Sequence, residues 1–100
     1  MKEINEQTFN ETISANEVCL VDYYSTSCGP CRVILPILEK LSDEFTIAKV
    51  NVYENMELAN NAKIKAVPTL VFYKNGQEIE RLMGIQSEKD LRDTFTKLSA

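Results

Sequence analysis

Two cysteines separated by two residues, Cys28 and Cys31, stand where a short apolar run gives way to a helical pattern. The run 18–24 (VCLVDYY) is typical of a buried strand, and residues 32–45 carry apolar side chains at helical spacing. Cys28 is therefore predicted to lie at a helix N-terminus. There the unpaired backbone N–H groups and the positive end of the helix dipole favour the thiolate form of a cysteine. Because the thiolate is the reactive form, this junction indicates redox chemistry.

The amino-acid composition excludes several other kinds of functional site. Histidine is absent from the 100 residues, which excludes a Cys–His or Ser–His–Asp nucleophile and imidazole metal ligands. A structural zinc site commonly takes four ligands, whereas this chain has one CxxC and the lone Cys19. We therefore expect no metal, and we interpret Cys19 as a core residue, because free cysteine packs like a small hydrophobe. An inert structural disulfide between Cys28 and Cys31 stays open, although so short a loop stabilises little.

Charge and hydropathy limit the kinds of partner that the chain can be expected to bind. The 11 Lys and Arg and the 15 Asp and Glu are interspersed and give a formal net charge of −4, so no phosphate-binding stripe or nucleic-acid partner is expected. No apolar run approaches the roughly 18 residues that span a bilayer, and the opening MKEINEQ lacks the apolar centre of a signal peptide. We expect one domain over residues 1–100, a cytoplasmic location and no membrane contact. In that reducing compartment a CxxC is more often catalytic or redox-sensing than structural.

The remaining patterns predict alternating strands and helices. Strands are expected at 2–4, 18–24, 46–52, 69–73 and 78–83, and helices at 5–14, at 28–44, after a cap at Asn55 and after a capping box at Ser87. Pro36 should kink the second helix. Asn75-Gly76 favours a two-residue hairpin that pairs the last two strands antiparallel. The order implies an α/β fold, with a mixed sheet covered by helices on both faces.

Several motifs, in order along nearly the whole chain, resemble the thioredoxin family. They are Val21-Asp22-Tyr23-Tyr24, Cys28-Gly29-Pro30-Cys31, Pro36, Lys49, Val67-Pro68-Thr69, Asn75-Gly76 and Gly84. The resemblance implies the thioredoxin fold, a single domain with a central five-stranded mixed sheet and four flanking helices. It also implies that the peptide bond before Pro68 is cis and faces the dithiol. Without the resemblance this bond would be expected to be trans, as most X-Pro bonds are.

The same resemblance implies a protein-disulfide reductase that needs no bound cofactor. Cys28 would be the attacking nucleophile and Cys31 the resolving thiol, while Gly29 lets a substrate approach and Pro30 fixes φ at the start of the helix. Disulfide-containing proteins would be the targets. A separate thioredoxin reductase, either nicotinamide-flavin or ferredoxin-linked, would restore the dithiol. We expect a monomer that acts as a general electron donor in redox homeostasis.

An acid in the apolar strand 18–24 has no obvious structural purpose. Burying a carboxylate without a partner is unfavourable, or it forces the carboxyl to stay neutral. By resemblance, Asp22 lies beneath the dithiol and takes the proton of Cys31, while Lys49 approaches from the neighbouring strand. Desolvation would raise the pKa of Asp22 and the ammonium would lower it. An exposed edge acid beside a solvated lysine stays open as the alternative.

Three further residues are candidates for substrate binding. Val67 and Pro68 would form a platform on which the Val67 backbone pairs with an extended substrate segment. Gly84 would allow close approach at the rim of the same groove. The alternatives are an ordinary trans proline at the start of a strand and a glycine that simply ends a strand.

The chain departs from the family around the dithiol. Thioredoxins usually carry tryptophan at the positions of Ser27 and Tyr24, and commonly an aspartate at that of Tyr53. Because the indole donor and its aspartate acceptor are both replaced, neither is left as an unpaired polar group. We therefore predict that Tyr24 and Tyr53 are neighbours. Two other functions stay open: a specialised donor to one reductase, motivated by Ser27, and a binding module that uses the Val67-Pro68 groove without turnover.

Overall fold

A five-stranded mixed sheet organises the protein. The structure is a computed structural model that describes all residues, 1–100. Its elements are β1 (Lys2–Glu3), α1 (Phe9–Ala15), β2 (Val18–Tyr24), α2 (Gly29–Leu41), β3 (Thr46–Asn51), α3 (Met56–Asn61), β4 (Thr69–Lys74), β5 (Gln77–Met83) and α4 (Glu88–Ser99). The strand order is β1-β3-β2-β4-β5, with β1, β3 and β2 parallel and with β4 and β5 antiparallel to their neighbours. The predicted α/β architecture is confirmed.

The central strand β2 is buried on both of its faces, which explains its nearly unbroken apolar sequence. Cys19, Val21 and Tyr23 face one core, to which α1 contributes Ile13. On the other face, Leu20 packs against side chains of α2 and α4, among them Ile34, Leu38, Leu91 and Phe95. Cys19 is a free, fully buried core residue, as predicted.

Local side-chain bonds move some boundaries from their predicted places. The first helix begins at Phe9 instead of Asn5, because the Asn5 carboxamide accepts the N–H groups of Gln7 and Thr8 and holds a turn there. The second helix begins at Gly29 with Cys28 as its N-cap, and it ends at Leu41, three residues before the predicted end. Pro36 lies inside it; a kink at this residue stays a prediction.

The predicted capping role of Asn55 is wrong, although its position at the start of α3 is right. Its side chain makes no cap bond. Instead, its amide donates to the carbonyl of Asn51 at 3.0 Å, and its carbonyl oxygen accepts the N–H of Glu6 at 3.2 Å. Asn55 therefore joins the loop after β3 to the segment after β1, a long-range contact that outcompetes the local one.

The hairpin between β4 and β5 forms as predicted. Asn75 and Gly76 have φ values of 52° and 83°, the positive values that a type I′ turn requires. The predicted cap at Ser87 is also present, since its hydroxyl accepts the N–H of Asp90 at 3.1 Å.

The strand directions place the segments that carry the predicted site residues at one edge of the sheet. β2 and β3 run parallel and end there, and β2 leads into the CxxC segment. β4 runs the other way, so its start at Thr69, just after Pro68, lies at the same edge. β5 returns there and ends beside Gly84. The CxxC segment, the start of β4 and the end of β5 therefore lie at the same edge of the sheet.

Candidate active site

The two cysteines of the CxxC segment form a disulfide. Their Cα atoms are 5.3 Å apart, within the usual range for a disulfide. Cys28 has extended backbone at the N-cap of α2, and its Sγ accepts the backbone N–H of Cys31 at 3.1 Å. Pro30 occupies the first turn, where a missing N–H leaves no helical bond unmade. The helix terminus thus offers a hydrogen-bond donor directly to the Cys28 sulfur.

The two cysteine residues differ in accessibility. Cys28 is half-buried, whereas Cys31 is only 5% exposed. Gly29 between them is exposed, and a Cβ atom there would meet nothing within 4 Å. A molecule approaching from solvent therefore meets Cys28 before Cys31.

Asp22 and Cys31 line one cavity of about 240 Å³. Its other lining residues are Tyr24, Ser25, Thr26, Arg32, Leu35 and Lys49. Asp22 is 1% exposed, and its Oδ1 atom has no hydrogen-bond partner. Burial raises the pKa of Asp22 to about 7, a rise that Lys49 opposes and Glu3 reinforces. The predicted opposition between desolvation and the ammonium is present, and desolvation prevails. An exposed edge acid is ruled out.

Lys49 lies opposite Asp22 in the register of β2 and β3, as expected. Its ammonium is 3.8 Å from Oε1 of Glu3 and 5.4 Å from the centre of the Tyr24 ring. Glu3 also accepts the Tyr24 hydroxyl, at 2.7 and 2.9 Å from its two carboxylate oxygens. Glu3 is a site residue that sequence reasoning missed, because only the pairing of β1 with β3 brings it to Lys49.

The peptide bond between Val67 and Pro68 is cis, as the resemblance implied. Pro68 is buried, and its carbonyl accepts the N–H of Gly84 at 3.0 Å. Gly84 has a φ of 81°, which favours glycine, so it both ends β5 and supports the cis-proline loop. The backbone N–H and C=O of Val67 make no hydrogen bond within the protein.

The predicted proximity of Tyr24 and Tyr53 stays a prediction. The Tyr24 hydroxyl donates to Glu3, while Tyr53 is 70% exposed. Tyr53 lines a second, mainly apolar pocket with Met56 and Val67, and Tyr24 lines the cavity of Asp22. The acceptor of the Tyr24 hydroxyl therefore lies on β1.

No group of three or more Cys, Asp or Glu side chains is arranged to hold a metal ion. The helices are also too short or too polar to cross a bilayer.

Comparison with known proteins agrees with this geometry. The thioredoxin family model matches residues 1–97. The chain belongs to the thioredoxin family. It is 36% identical over 100 residues to the thioredoxin of Chlamydia pneumoniae, and the match covers 97% of each chain. A mutant thioredoxin from Halobacterium salinarum has a TM-score of 0.92 at 31% identity, covering 99% of this chain and 92% of that one.

A bifunctional thioredoxin reductase/thioredoxin of Mycobacterium leprae is also similar, with 32% identity over 99 residues that span 91% of this chain and 22% of that protein. This member of the thioredoxin family is a protein-disulfide oxidoreductase. The bonded Cys28 and Cys31 are its redox-active pair, and its chemistry is dithiol–disulfide exchange.

Proposed function

We propose that this thioredoxin-family protein is a general protein-disulfide reductase in which Cys28 attacks and Cys31 resolves. The observation that carries the proposal is the N-cap geometry. The Sγ of Cys28 accepts the N–H of Cys31 at 3.1 Å, so a thiolate at this atom gains a hydrogen bond and the helix dipole. Cys31, 5% exposed, lies one helical turn further in, where a large substrate cannot reach it first.

The reaction then runs in two exchange steps. The Cys28 thiolate attacks one sulfur of the target disulfide, which forms a mixed disulfide and releases the other target sulfur as a thiolate. Cys31 loses its proton and attacks the Cys28 sulfur, which forms the Cys28–Cys31 disulfide and releases the second target thiolate. Two electrons pass from the protein to the target, and a reductase must return them.

Asp22 is proposed to accept the proton of Cys31 in the second step. The two residues line the same cavity, and the unpartnered Oδ1 of Asp22 is free to receive a proton there. A carboxyl with a pKa of about 7 is partly ionised near neutral pH and matches the acidity required of a general base. Lys49, on the neighbouring strand, tunes that carboxyl.

Exchanging each cysteine for serine tests the order of attack. Cys31→Ser should accumulate a covalent mixed disulfide with a target protein, because the resolving sulfur is gone. Cys28→Ser should trap almost none, since the remaining thiol is buried. Non-reducing electrophoresis after a brief incubation with insulin, followed by mass spectrometry of the linked peptide, measures both. Predominant trapping through Cys31 would reverse the roles.

Asp22→Asn should slow resolution far more than initial attack. The amide cannot accept a proton from Cys31, while Cys28 keeps its N-cap bond; loss of a general base typically costs about 10²–10⁴-fold in rate. Rapid-mixing kinetics with a fluorescent disulfide peptide separates the two steps. In the parent protein, resolution should also slow as the pH falls below about 7, where Asp22 becomes protonated. Equal slowing of both steps in the variant would leave Asp22 a structural role only.

Val67, Pro68 and Gly84 are proposed to bind the target. The unpaired N–H and C=O of Val67 can each bond to an extended peptide, which provides affinity without demanding a particular sequence. The Gly84 N–H donates to the Pro68 carbonyl at 3.0 Å and so ties this loop to the end of β5. Gly29 leaves open space for the target above the disulfide, and Pro30 fixes the first turn.

The electron source is proposed to be a separate thioredoxin reductase. The Mycobacterium leprae protein, whose name joins a thioredoxin reductase to a thioredoxin, supports such a partner. Nicotinamide-flavin and ferredoxin-linked enzymes are both compatible with the proposal. We propose that the protein acts as a monomer in the cytoplasm, a reducing compartment in which a dithiol donor finds both its reductant and its targets.

A further inference from the structure

Three charged residues lie in a row across three neighbouring parallel strands. In the sheet register, Glu3 of β1 stands opposite Lys49 of β3, and Lys49 stands opposite Asp22 of β2. The row therefore alternates acid, base, acid, and its one ammonium lies between two carboxyl groups. Side chains directly opposite one another on neighbouring strands are close enough to interact.

The ammonium contacts the outer carboxylate. Lys49 Nζ lies 3.8 Å from Glu3 Oε1, which is an ion pair and not a hydrogen bond. It also lies over the ring of Tyr24, at a distance where a cation is attracted to the aromatic face. The Tyr24 hydroxyl donates to both oxygens of Glu3, which fixes the carboxylate where Lys49 meets it. The inner carboxyl, Asp22, has no ion pair, and its Oδ1 has no partner.

We propose that Glu3 is a positioning residue for the resolving step: it holds the ammonium of Lys49 at the rim of the cavity, away from the Asp22 carboxyl. The inference rests on the proposed role of Asp22 as the proton acceptor. An Asp22 paired with Lys49 would stay ionised but would be a weak base. With Lys49 held by Glu3 and Tyr24, the carboxyl keeps its affinity for a proton.

The affinity of Asp22 for a proton depends on all the charged and titratable groups around it. Lys49 and Glu3 face it from β3 and β1, Tyr24 shares its strand, and Cys31 and Arg32 line the cavity from α2. The guanidinium of Arg32 donates to the carbonyl of Thr26 at 3.0 Å. The charge of Glu3 itself raises the pKa of Asp22. The proposed withholding of Lys49 acts in the same direction, because it weakens the stabilisation of an ionised Asp22.

Glu3→Gln tests the proposal, because the amide keeps an acceptor for Tyr24 and removes the charge. In the oxidised protein, where neither active-site sulfur titrates, carbon NMR of the Asp22 carboxyl should show a midpoint lower by about 0.5 to 1 pH unit. Glu6→Gln is the matched control, since Glu6 is an exposed acid close to β1 that makes no ion pair; it should leave the midpoint in place. An unchanged midpoint in Glu3→Gln overturns the proposal.

Lys49→Gln separates the two influences of Glu3. If Glu3 acts by withholding Lys49, most of the shift caused by Glu3→Gln should vanish when Lys49 is already absent. A shift of the same size in the Lys49→Gln background would mean that Glu3 acts only through its own charge, which also overturns the proposal.

Kinetics then distinguishes this inference from the proposed function. The acid limb of the resolution rate in Glu3→Gln should move to lower pH with the Asp22 midpoint, while the rate above about pH 7 should fall, because the carboxylate is then a weaker base. A lowered midpoint with an unmoved rate profile supports the effect of Glu3 on Asp22, and it counts instead against Asp22 as the proton acceptor.

Discussion

Oxidised Asp22→Asn is expected to be more stable than the parent protein by about 4 kcal/mol near pH 8. The buried carboxyl has a pKa of about 7, against an ordinary value of 3.8, so the folded state resists its ionisation. A shift of about 3 units corresponds to about 4 kcal/mol, and the amide removes this penalty because it never ionises. Chemical denaturation monitored by circular dichroism measures the difference.

The gain should depend on pH with a definite sign. Between pH values of about 4 and 7 the folded parent binds a proton at Asp22 that the unfolded chain has released, so its stability falls as the pH rises through this range. The advantage of Asp22→Asn should therefore shrink from about 4 kcal/mol near pH 8 to about 2 kcal/mol near pH 5.

The composition allows the pH dependence to be assigned to Asp22. The chain has no histidine, and oxidation removes both active-site thiols from titration, so few other groups titrate in this window. The N-terminal amine is common to both proteins and cancels in the comparison. Asp43→Asn, an exposed acid outside any ion pair, serves as the control and should change little. A pH-independent difference between parent and Asp22→Asn would contradict the argument.

Phe95→Ala should lower the free energy of unfolding by about 3 to 5 kcal/mol. Phe95 is 1% exposed on α4 and packs between two other rings. Its ring stacks on Phe45, with centres 4.3 Å apart, and meets Phe72 edge-on at 5.0 Å. Truncation opens a cavity where three rings meet and removes both aromatic contacts. Denaturant titration of the oxidised protein gives the loss.

The loss should concern stability and leave the chemistry intact. Phe95 does not line the cavity of Asp22, so the exchange rate of the folded Phe95→Ala variant should stay within about two-fold of the parent. Val33→Ala on α2 is the control, because Val33 is 55% exposed and should change stability by less than about 0.5 kcal/mol. A small effect of Phe95→Ala would mean that the neighbouring rings close the space.

Local patterns were enough to predict much of the molecule. The apolar run of β2 and the positive-φ turn at Asn75-Gly76 each depend on a few adjacent residues, and both form as expected. The position of Cys28 at a helix N-terminus follows from the same kind of pattern. The cis bond before Pro68 came only from family resemblance, since nothing in the local sequence distinguishes it from a trans bond.

Contacts between segments that are far apart in the sequence could not be predicted from it. Asn55 has the residue type of a helix cap, yet it bonds to Glu6, 49 positions away. Glu3 became part of the site only through the register of β1 with β3. The protonation of Asp22 depends on how deeply it is buried and on where Lys49 points, and both are set by the assembled sheet.

The remaining sulfhydryl, Cys19, gives the oxidised molecule a built-in reporter of global opening. It is fully buried, and burial raises its pKa to about 11, so alkylating reagents find neither access nor thiolate while the chain is folded. Because the other two sulfurs are bonded to each other, every labelled molecule must have exposed its central strand. Counting one adduct per chain by mass therefore records unfolding events directly, without an attached dye.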